Sequence, residues 1–262
     1  MPFGLPVDEV PLAHSPLITV LAQIRFPPVA SIAREDFIGP FQERIRARYP
    51  VLRQEREVSV VVTAQGAHAG TDTAPLWHFL DGETPEWTVS LASSFVALGV
   101  SRYTSRSDFL SRLRDVLVAL AETVRPSMCD RIGVRYVDRV PLDPAFDLDA
   151  FVRPEVVGVT TLDPEPEATL VHSISDTEFH LADSVLHGRW GRVPANALLD
   201  PVHGPSIDAP SWIFDLDMYA VKVGAFEVDA LTSYAELFAE RIYRFFRWAV
   251  RPAFLQHFGG AV

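Results

Sequence analysis

Cysteine is almost missing from this sequence of 262 residues. Cys129 is the only one, so no disulfide can form within the chain. Long apolar runs are missing as well, since stretches such as residues 95–100 are far shorter than the ~18 residues of a membrane span. The first residues carry neither the basic segment nor the apolar core of a signal peptide. We therefore expect a cytoplasmic protein with no membrane partner.

Common catalytic motifs are lacking too. The sequence contains no glycine-rich nucleotide-binding loop, no His-Glu-x-x-His zinc motif and no Gly-x-Ser-x-Gly nucleophile motif. Enzymatic activity is therefore uncertain, and a non-enzymatic role is favoured. We predict no cofactor and no metal site, because the loose spacing of His172, His180 and His187 is not specific for a metal ion.

The charge is strongly one-sided. With 34 acidic side chains, 23 basic ones and a formal net charge of -11, the chain is a poor candidate for general nucleic-acid binding. Neutralisation of phosphates supplies most of the affinity in that class of protein. The hydrophobic content of 48% is typical of a globular domain, and a chain of this length buries a core without cross-links.

Hydrophobic periodicity predicts strands and helices in both parts of the chain. Branched and aromatic residues predict strands at 17–26 and 131–140, among others. Helical spacing of apolar residues predicts three longer helices and one short one, near residues 34–48, 107–124, 231–250 and 149–153. We expect an α+β fold with largely antiparallel or mixed sheets and four main helices.

An internal duplication is also predicted. An offset of 125 residues brings the apolar positions of 87–121 into phase with those of 212–246, which predicts equivalent strand–strand–helix units. Each half would then have the order strand–helix–strands–helix. We place the halves at residues 1–127 and 128–262, as two domains or as one compact two-lobed domain. The alternative is that any α+β chain offers such coincidences.

Four stretches resemble one known family. They are SPLITVLAQIRFPPV, LWHFLD with WTVSL, DRIGVRYVDRV and the aromatic C-terminal helix. Over about residues 11–258 the chain resembles a sporadically distributed bacterial family of similar length that has no established activity. The resemblance implies a compact bacterial cytosolic protein, and the sporadic distribution implies an association with mobile or defence genes. It supplies no catalytic or cofactor-binding residue.

An arginine-rich strand is the strongest candidate site. Side chains alternate along a strand, so Arg131, Arg135 and Arg139 share one face, and Gly133 leaves a gap between two of them. Arg25 has a comparable position near the end of the first strand. Guanidinium groups suit carboxylates and phosphates, which predicts an anion-binding face. The alternative is that these arginines pair with acidic residues of the same chain.

Two further features are candidates for binding. Trp77 could stack on a ligand and the adjacent His78 could contact it, although a place in the core is the simpler interpretation for both. The last predicted helix carries a stripe of arginines opposite its aromatic face: Arg241, Arg244, Arg247 and Arg251. That stripe could dock an acidic partner or RNA, and the alternative is local electrostatic pairing within the chain.

These features favour a non-enzymatic binding or regulatory protein. We expect it to hold an anionic, peptide or protein partner on the arginine face or in a groove between the halves. A small anionic ligand and a homodimer are further options. One alternative is an enzyme acting on a small anionic substrate in an arginine-lined pocket, with His78 or His172 as the acid–base group. Another is an RNA-binding or toxin-controlling factor.

Overall fold

The computed structural model describes residues 2–5, 7–56, 60–63, 66–69, 75–143, 146–162, 167–197 and 207–261. The strands are β1 (Leu17–Arg25), β2 (Val51–Arg56), β3 (Val60–Thr63), β4 (Gly66–Ala69), β5 (Pro75–Leu80), β6 (Trp87–Ala92), β7 (Phe95–Val100), β8 (Met128–Pro141), β9 (Ser173–His180), β10 (Val185–Val193) and β11 (Ser211–Ala225). The α-helices are α1 (Glu35–Ile45), α2 (Arg106–Thr123), α3 (Leu148–Phe151), α4 (Pro154–Val157), α5 (Val228–Ala249) and α6 (Pro252–His257).

Nine of these strands form one antiparallel sheet in the order β2-β5-β6-β7-β1-β8-β11-β10-β9. Strands β3 and β4 form a separate two-stranded hairpin. The fold is therefore α+β, as the sequence predicts. At the centre of the sheet, β1 pairs with β8 in a register that places Leu21 opposite Arg135.

The three long helices pack on one face of the sheet. Each contributes an aromatic ring that meets a ring of the sheet: Phe41 of α1 meets Phe79, Phe109 of α2 stacks on Trp87, and Phe245 of α5 stacks on Phe214. All three helical rings are fully buried. The aromatic face of α5 is therefore core, which confirms its interpretation from the periodicity.

The predicted fourth helix is represented by two single turns. Asp147 caps α3 by accepting a hydrogen bond from the backbone N–H of Ala150, and Pro154 begins α4. Proline at this first helical position costs no hydrogen bond, but it prevents α3 from continuing through it. None of the helices in the described ranges combines the length and apolar character needed to cross a membrane.

The predicted equivalence of 87–121 and 212–246 is wrong. Residues 87–100 form a hairpin of two strands, β6 and β7, whereas the corresponding part of the second segment lies within one strand, β11. A continuous apolar alternation from Trp212 to Met218 keeps β11 extended, and no turn interrupts it. The sheet order outward from the central pair is β1-β7-β6-β5-β2 on one side and β8-β11-β10-β9 on the other, so the two sides have five and four strands. The duplication itself stays a prediction.

Candidate functional site

The arginine face of β8 lies on the side of the sheet opposite the long helices. Arg135 forms a two-pronged ion pair with Asp215 of β11, with Nε–Oδ1 and Nη2–Oδ2 distances of 2.7 and 2.9 Å. Arg189 of β10 reaches the same carboxylate at 2.5 Å. Arg131 pairs with Asp217 at 2.9 Å. Two aspartates of the neighbouring strand thus neutralise much of this face. The arginines therefore pair with acidic residues of the same chain, which is the alternative to an anion-binding face.

The gap predicted at Gly133 is filled by the chain itself. The Arg131 guanidinium folds over Gly133 so closely that a Cβ there would lie 2.8 Å from Nη1. The same guanidinium covers the ring of Tyr219, with Cζ 4.5 Å from the ring centre. Glycine at this position therefore makes room for an arginine of the same strand.

Arg139 and Arg25 have opposite environments. Arg139 is only 3% exposed, and it donates hydrogen bonds to the Ala197 carbonyl at 2.9 Å and to the Ser211 hydroxyl at 3.2 Å. Burial lowers its pKa from the usual value. Arg25 is exposed at the end of β1, directly opposite Arg131 in the strand register. An anion-binding role for this face remains a prediction.

Trp77 and His78 are buried in β5, at 3% and 4% exposure, and point to opposite faces of the sheet. The Trp77 indole donates a hydrogen bond to the Ile32 carbonyl at 2.8 Å. His78 Nδ1 lies 2.9 Å from the Ser90 hydroxyl. Three strands lie between β5 and β8, so the two strands are about 19 Å apart across the sheet. The structure therefore does not bring this pair together with the arginines.

The arginine stripe of α5 is used within the chain. Arg241 contacts Asp183 at 2.7 Å, and Arg251 donates to the Val152 carbonyl. Arg244 and Arg247 donate to backbone carbonyls of the N-terminal segment, at Gly4 and Asp8. Pairing within the chain accounts for the stripe, which is the alternative to docking an acidic partner or RNA.

The same N-terminal segment forms one wall of a cavity on the helix face of the sheet. We call residues 7–15 the strap. The phenol of Tyr243 on α5 holds the strap by accepting a hydrogen bond from the Val10 N–H at 2.7 Å and donating one to the Asp8 carbonyl at 3.3 Å. Arg106, at the start of α2, forms an ion pair with Glu9. These contacts join the strap to two helices.

The space beneath the strap is the α5 cavity, with a volume of about 230 Å³. Its walls come from both predicted halves of the chain, and include Leu17 of β1, Tyr136 and Asp138 of β8, Leu216 of β11, and Ala239 and Ile242 of α5. Most of this lining is aliphatic or aromatic. The cavity therefore lies between the halves, on the opposite side of the sheet from the predicted arginine face.

Two tyrosines form a polar edge of the α5 cavity. The hydroxyl oxygens of Tyr103 and Tyr136 are 3.3 Å apart, and their rings meet edge to face. Burial raises the pKa of Tyr103 to about 12 and raises that of Tyr136 well above its ordinary value. Both phenols are therefore protonated at neutral pH, so each can donate a hydrogen bond as well as accept one.

Asp138 is the unusual residue of the α5 cavity. Its strand neighbours are Leu17 and Phe214, and Phe214 stacks on Phe245 of α5, so the carboxyl group faces the apolar layer. It is 7% exposed. Within the described part of the chain, no group donates a hydrogen bond to this carboxyl and no cation pairs with it. Burial raises its pKa to about 7.

No family model matches the chain, and neither a curated protein nor a solved structure is significantly similar to it. The resemblance to a bacterial family therefore stays a prediction.

Other titratable groups form simple pairs. His180 contacts Glu178, and His187 lies 2.6 Å from Asp176. No group of three or more histidine, cysteine, aspartate or glutamate side chains in the described ranges could hold a metal ion. Cys129 is buried, and burial raises the pKa of its thiol to about 12, so it is a thiol at neutral pH.

Asp138 is not among the site residues predicted from the sequence, although the sequence contains a signal for it. Strand alternation puts Asp138 on the same face as Ile132, Val134, Tyr136 and Val140, the apolar face of the clearest predicted strand. A carboxylate on such a face is expected to be buried, and buried carboxylates need a partner. The cavity around it could not be found in this way, because its walls come from five separate parts of the chain.

Proposed function

We propose that this protein binds a small, mostly apolar molecule in the α5 cavity. The single observation that carries the proposal is that Asp138, a residue only 7% exposed, presents its carboxyl group to the cavity without a hydrogen-bond or ion-pair partner among the described residues. Leaving such a group unsatisfied is costly, and buried polar groups in folded proteins are almost always hydrogen-bonded. A ligand that reaches Asp138 would remove that cost.

The size of the cavity limits the ligand. A dry apolar cavity of about 150 Å³ is large enough to hold benzene. The α5 cavity, at about 230 Å³, therefore accommodates one ring and a short substituent. The apolar walls contribute affinity, whereas Asp138 and the two tyrosine hydroxyls fix the orientation of the polar end.

This proposal keeps the predicted binding role and the groove between the halves, but changes the expected partner. An anionic or protein partner on the arginine face has weaker support, because Asp215 and Asp217 already occupy Arg135 and Arg131. The alternative of an enzyme has His78 or His172 as its acid–base group, and neither residue lines the cavity. We keep the cytoplasm as the proposed location, which the single unpaired Cys129 supports.

Binding of benzyl alcohol, a neutral one-ring probe, tests the proposal. Ligand-observed NMR at millimolar probe should detect binding to the wild type, and Ala239→Leu should abolish it by filling the cavity. Ser111→Trp, on the exposed side of α2, is the control for a larger side chain placed elsewhere. If Ala239→Leu does not fold, Leu17→Trp narrows the cavity from the strand side.

Two results would refute the proposal. The first is a wild-type protein that does not bind the probe. The second is equal binding by the wild type and a folded cavity-filling variant, which would place the bound probe somewhere else.

A further inference from the structure

The balance of charge inside the α5 cavity indicates which polar group the ligand carries. Titratable groups reach it from four sides: Asp138 and Tyr136 from β8, Tyr103 and Arg106 from the turn before α2 and its first residue, Tyr243 from α5, and Glu9 from the strap. Strands β1 and β11 contribute only leucines to the lining. Arg106 and Glu9 neutralise each other in their ion pair. The phenols of Tyr103 and Tyr136 are uncharged at neutral pH, because burial raises the pKa of both. Asp138 is therefore the carboxyl whose charge nothing in the cavity offsets.

The N-terminus of α2 does not provide the missing positive charge. Its first turn contains Asp108, whose backbone N–H donates to the capping Ser105 hydroxyl at 3.2 Å. The Asp108 carboxylate accepts a hydrogen bond from Arg112 at 3.1 Å, and its negative charge offsets the positive end of the helix dipole. The positive end of α2 is thus already compensated by a residue of the same turn.

We infer that the ligand is an organic cation, a protonated amine carrying one ring, whose ammonium group pairs with Asp138. This inference rests on the proposed function. The ammonium N–H groups donate to the Asp138 carboxylate and to the phenolic oxygens of Tyr103 and Tyr136. The rings of Tyr103, Tyr136, Tyr243 and Phe246, all at the cavity, add attraction between a cation and aromatic faces.

The other charge classes fit less well. An anion would place a second negative charge beside Asp138 in a site of low dielectric constant, where like charges repel strongly. A neutral ring would fill the apolar volume but would leave the ionised carboxylate unpaired. A cation fills the cavity and also pairs with the ionised carboxylate.

Binding should therefore be linked to protonation. The amine pairs with the ionised form of Asp138, whose pKa is about 7 in the free protein. Affinity should rise from about pH 6 to about pH 8, over which range an alkylammonium group keeps its proton. A proton should leave the protein when the complex forms at the acidic end of that range.

Three one-ring probes of similar size separate the possibilities. Titration calorimetry at about pH 8 should show benzylamine binding about 10- to 100-fold more tightly than benzyl alcohol, with benzoate weakest. Asp138→Asn keeps the shape of the side chain and should weaken benzylamine binding by a similar factor, so that the preference for benzylamine over benzyl alcohol is lost. Asp130→Asn, at an exposed position of the same strand, should behave as the wild type.

The outcomes distinguish this inference from the proposed function. If all three probes bind equally, or if Asp138→Asn binds benzylamine as tightly as the wild type, the cavity is a binding site but not for a cation. If no probe binds the wild type, both the inference and the proposed function are wrong. Tighter binding of benzoate than of benzylamine would also overturn the inference.

Discussion

Asp138 lies in the apolar layer between the sheet and α5, and its protonation state affects the stability of the fold. Burial raises the pKa of this carboxyl from 3.8 to about 7. Between these two values the folded state keeps a proton that the unfolded chain has lost. The folded state therefore binds more protons, and the contribution of this group to stability falls as the pH rises.

Asp138→Asn should stabilise the ligand-free protein, increasingly so as the pH rises. The amide is neutral at every pH, so the variant never carries the buried charge. The variant's gain in free energy of unfolding should grow from near zero at about pH 4 to about 2–4 kcal/mol at about pH 8. Urea denaturation of both proteins at several pH values measures this difference.

The exposed Asp130 on the same strand provides the control. Asp130→Asn should change the free energy of unfolding by less than about 0.5 kcal/mol, because solvent screens a surface charge. A gain from Asp138→Asn that stays constant with pH would mean that the carboxyl has an ordinary pKa and that the cavity is open to water.

Strand β8 separates two chemistries on its two faces. The side chains facing the helices line the core and the α5 cavity, whereas Arg131 and Arg135 on the other face form ion pairs with β11. The pairs at Arg131 and Arg135 connect neighbouring strands, so they act as cross-strand contacts within the sheet. This arrangement assigns the arginine face to stability unless a ligand displaces the aspartates.

Arg135→Lys should therefore lower stability. Lysine keeps the charge but loses the planar fork that reaches both oxygens of Asp215, a residue that is itself buried. We expect a loss of about 1–3 kcal/mol in the free energy of unfolding, measured by chemical denaturation. Arg102→Lys, which alters an exposed pair with Glu86, should cost less than about 0.5 kcal/mol.

The opposite pattern would favour the anion-binding face. If Arg135→Lys leaves stability unchanged but weakens binding of inorganic phosphate or an acidic peptide, the guanidinium contacts a ligand. The ion pair with Asp215 would then contribute little to the fold.

At the scale of the whole molecule, the sheet runs without a break across the boundary between residues 1–127 and 128–262. Strand β1 pairs with β8 along most of its length, and α2 packs against α5. Each half therefore contributes one central strand and one long helix to the interface with the other. Separating the halves would expose the unpaired edges of both central strands.

The isolated fragment 1–127 should not fold into a stable domain. Removing β8 and α5 exposes the edge of β1 and the apolar side of α2, so we expect aggregation or a fragment without a cooperative unfolding transition. The full chain should show one transition that coincides by circular dichroism and tryptophan fluorescence. Co-expression with 128–262 is the matched control and should restore a folded complex. A fragment that unfolds cooperatively alone would establish two independent domains.

Local patterns in the sequence were sufficient to predict several elements. Period-two alternation identified β8, and helical spacing identified the buried face of α5 with Phe238 and Phe245, because both signals depend only on neighbouring residues. The same patterns misjudged the segment 212–246. Apolar phase alone cannot distinguish one long strand from a hairpin, since both alternate in the same way.

The sequence by itself determined that the fold is α+β, that β8 has a charged and an apolar face, and that α5 buries its aromatic side. Only the tertiary structure decided which aspartates neutralise Arg131 and Arg135, because those partners lie about 80 positions away on β11. It also decided that Asp138 faces a cavity. The walls of that cavity come from the strap, β1, the start of α2, β11 and α5, and their convergence depends on strand order and helix packing, which no local pattern encodes.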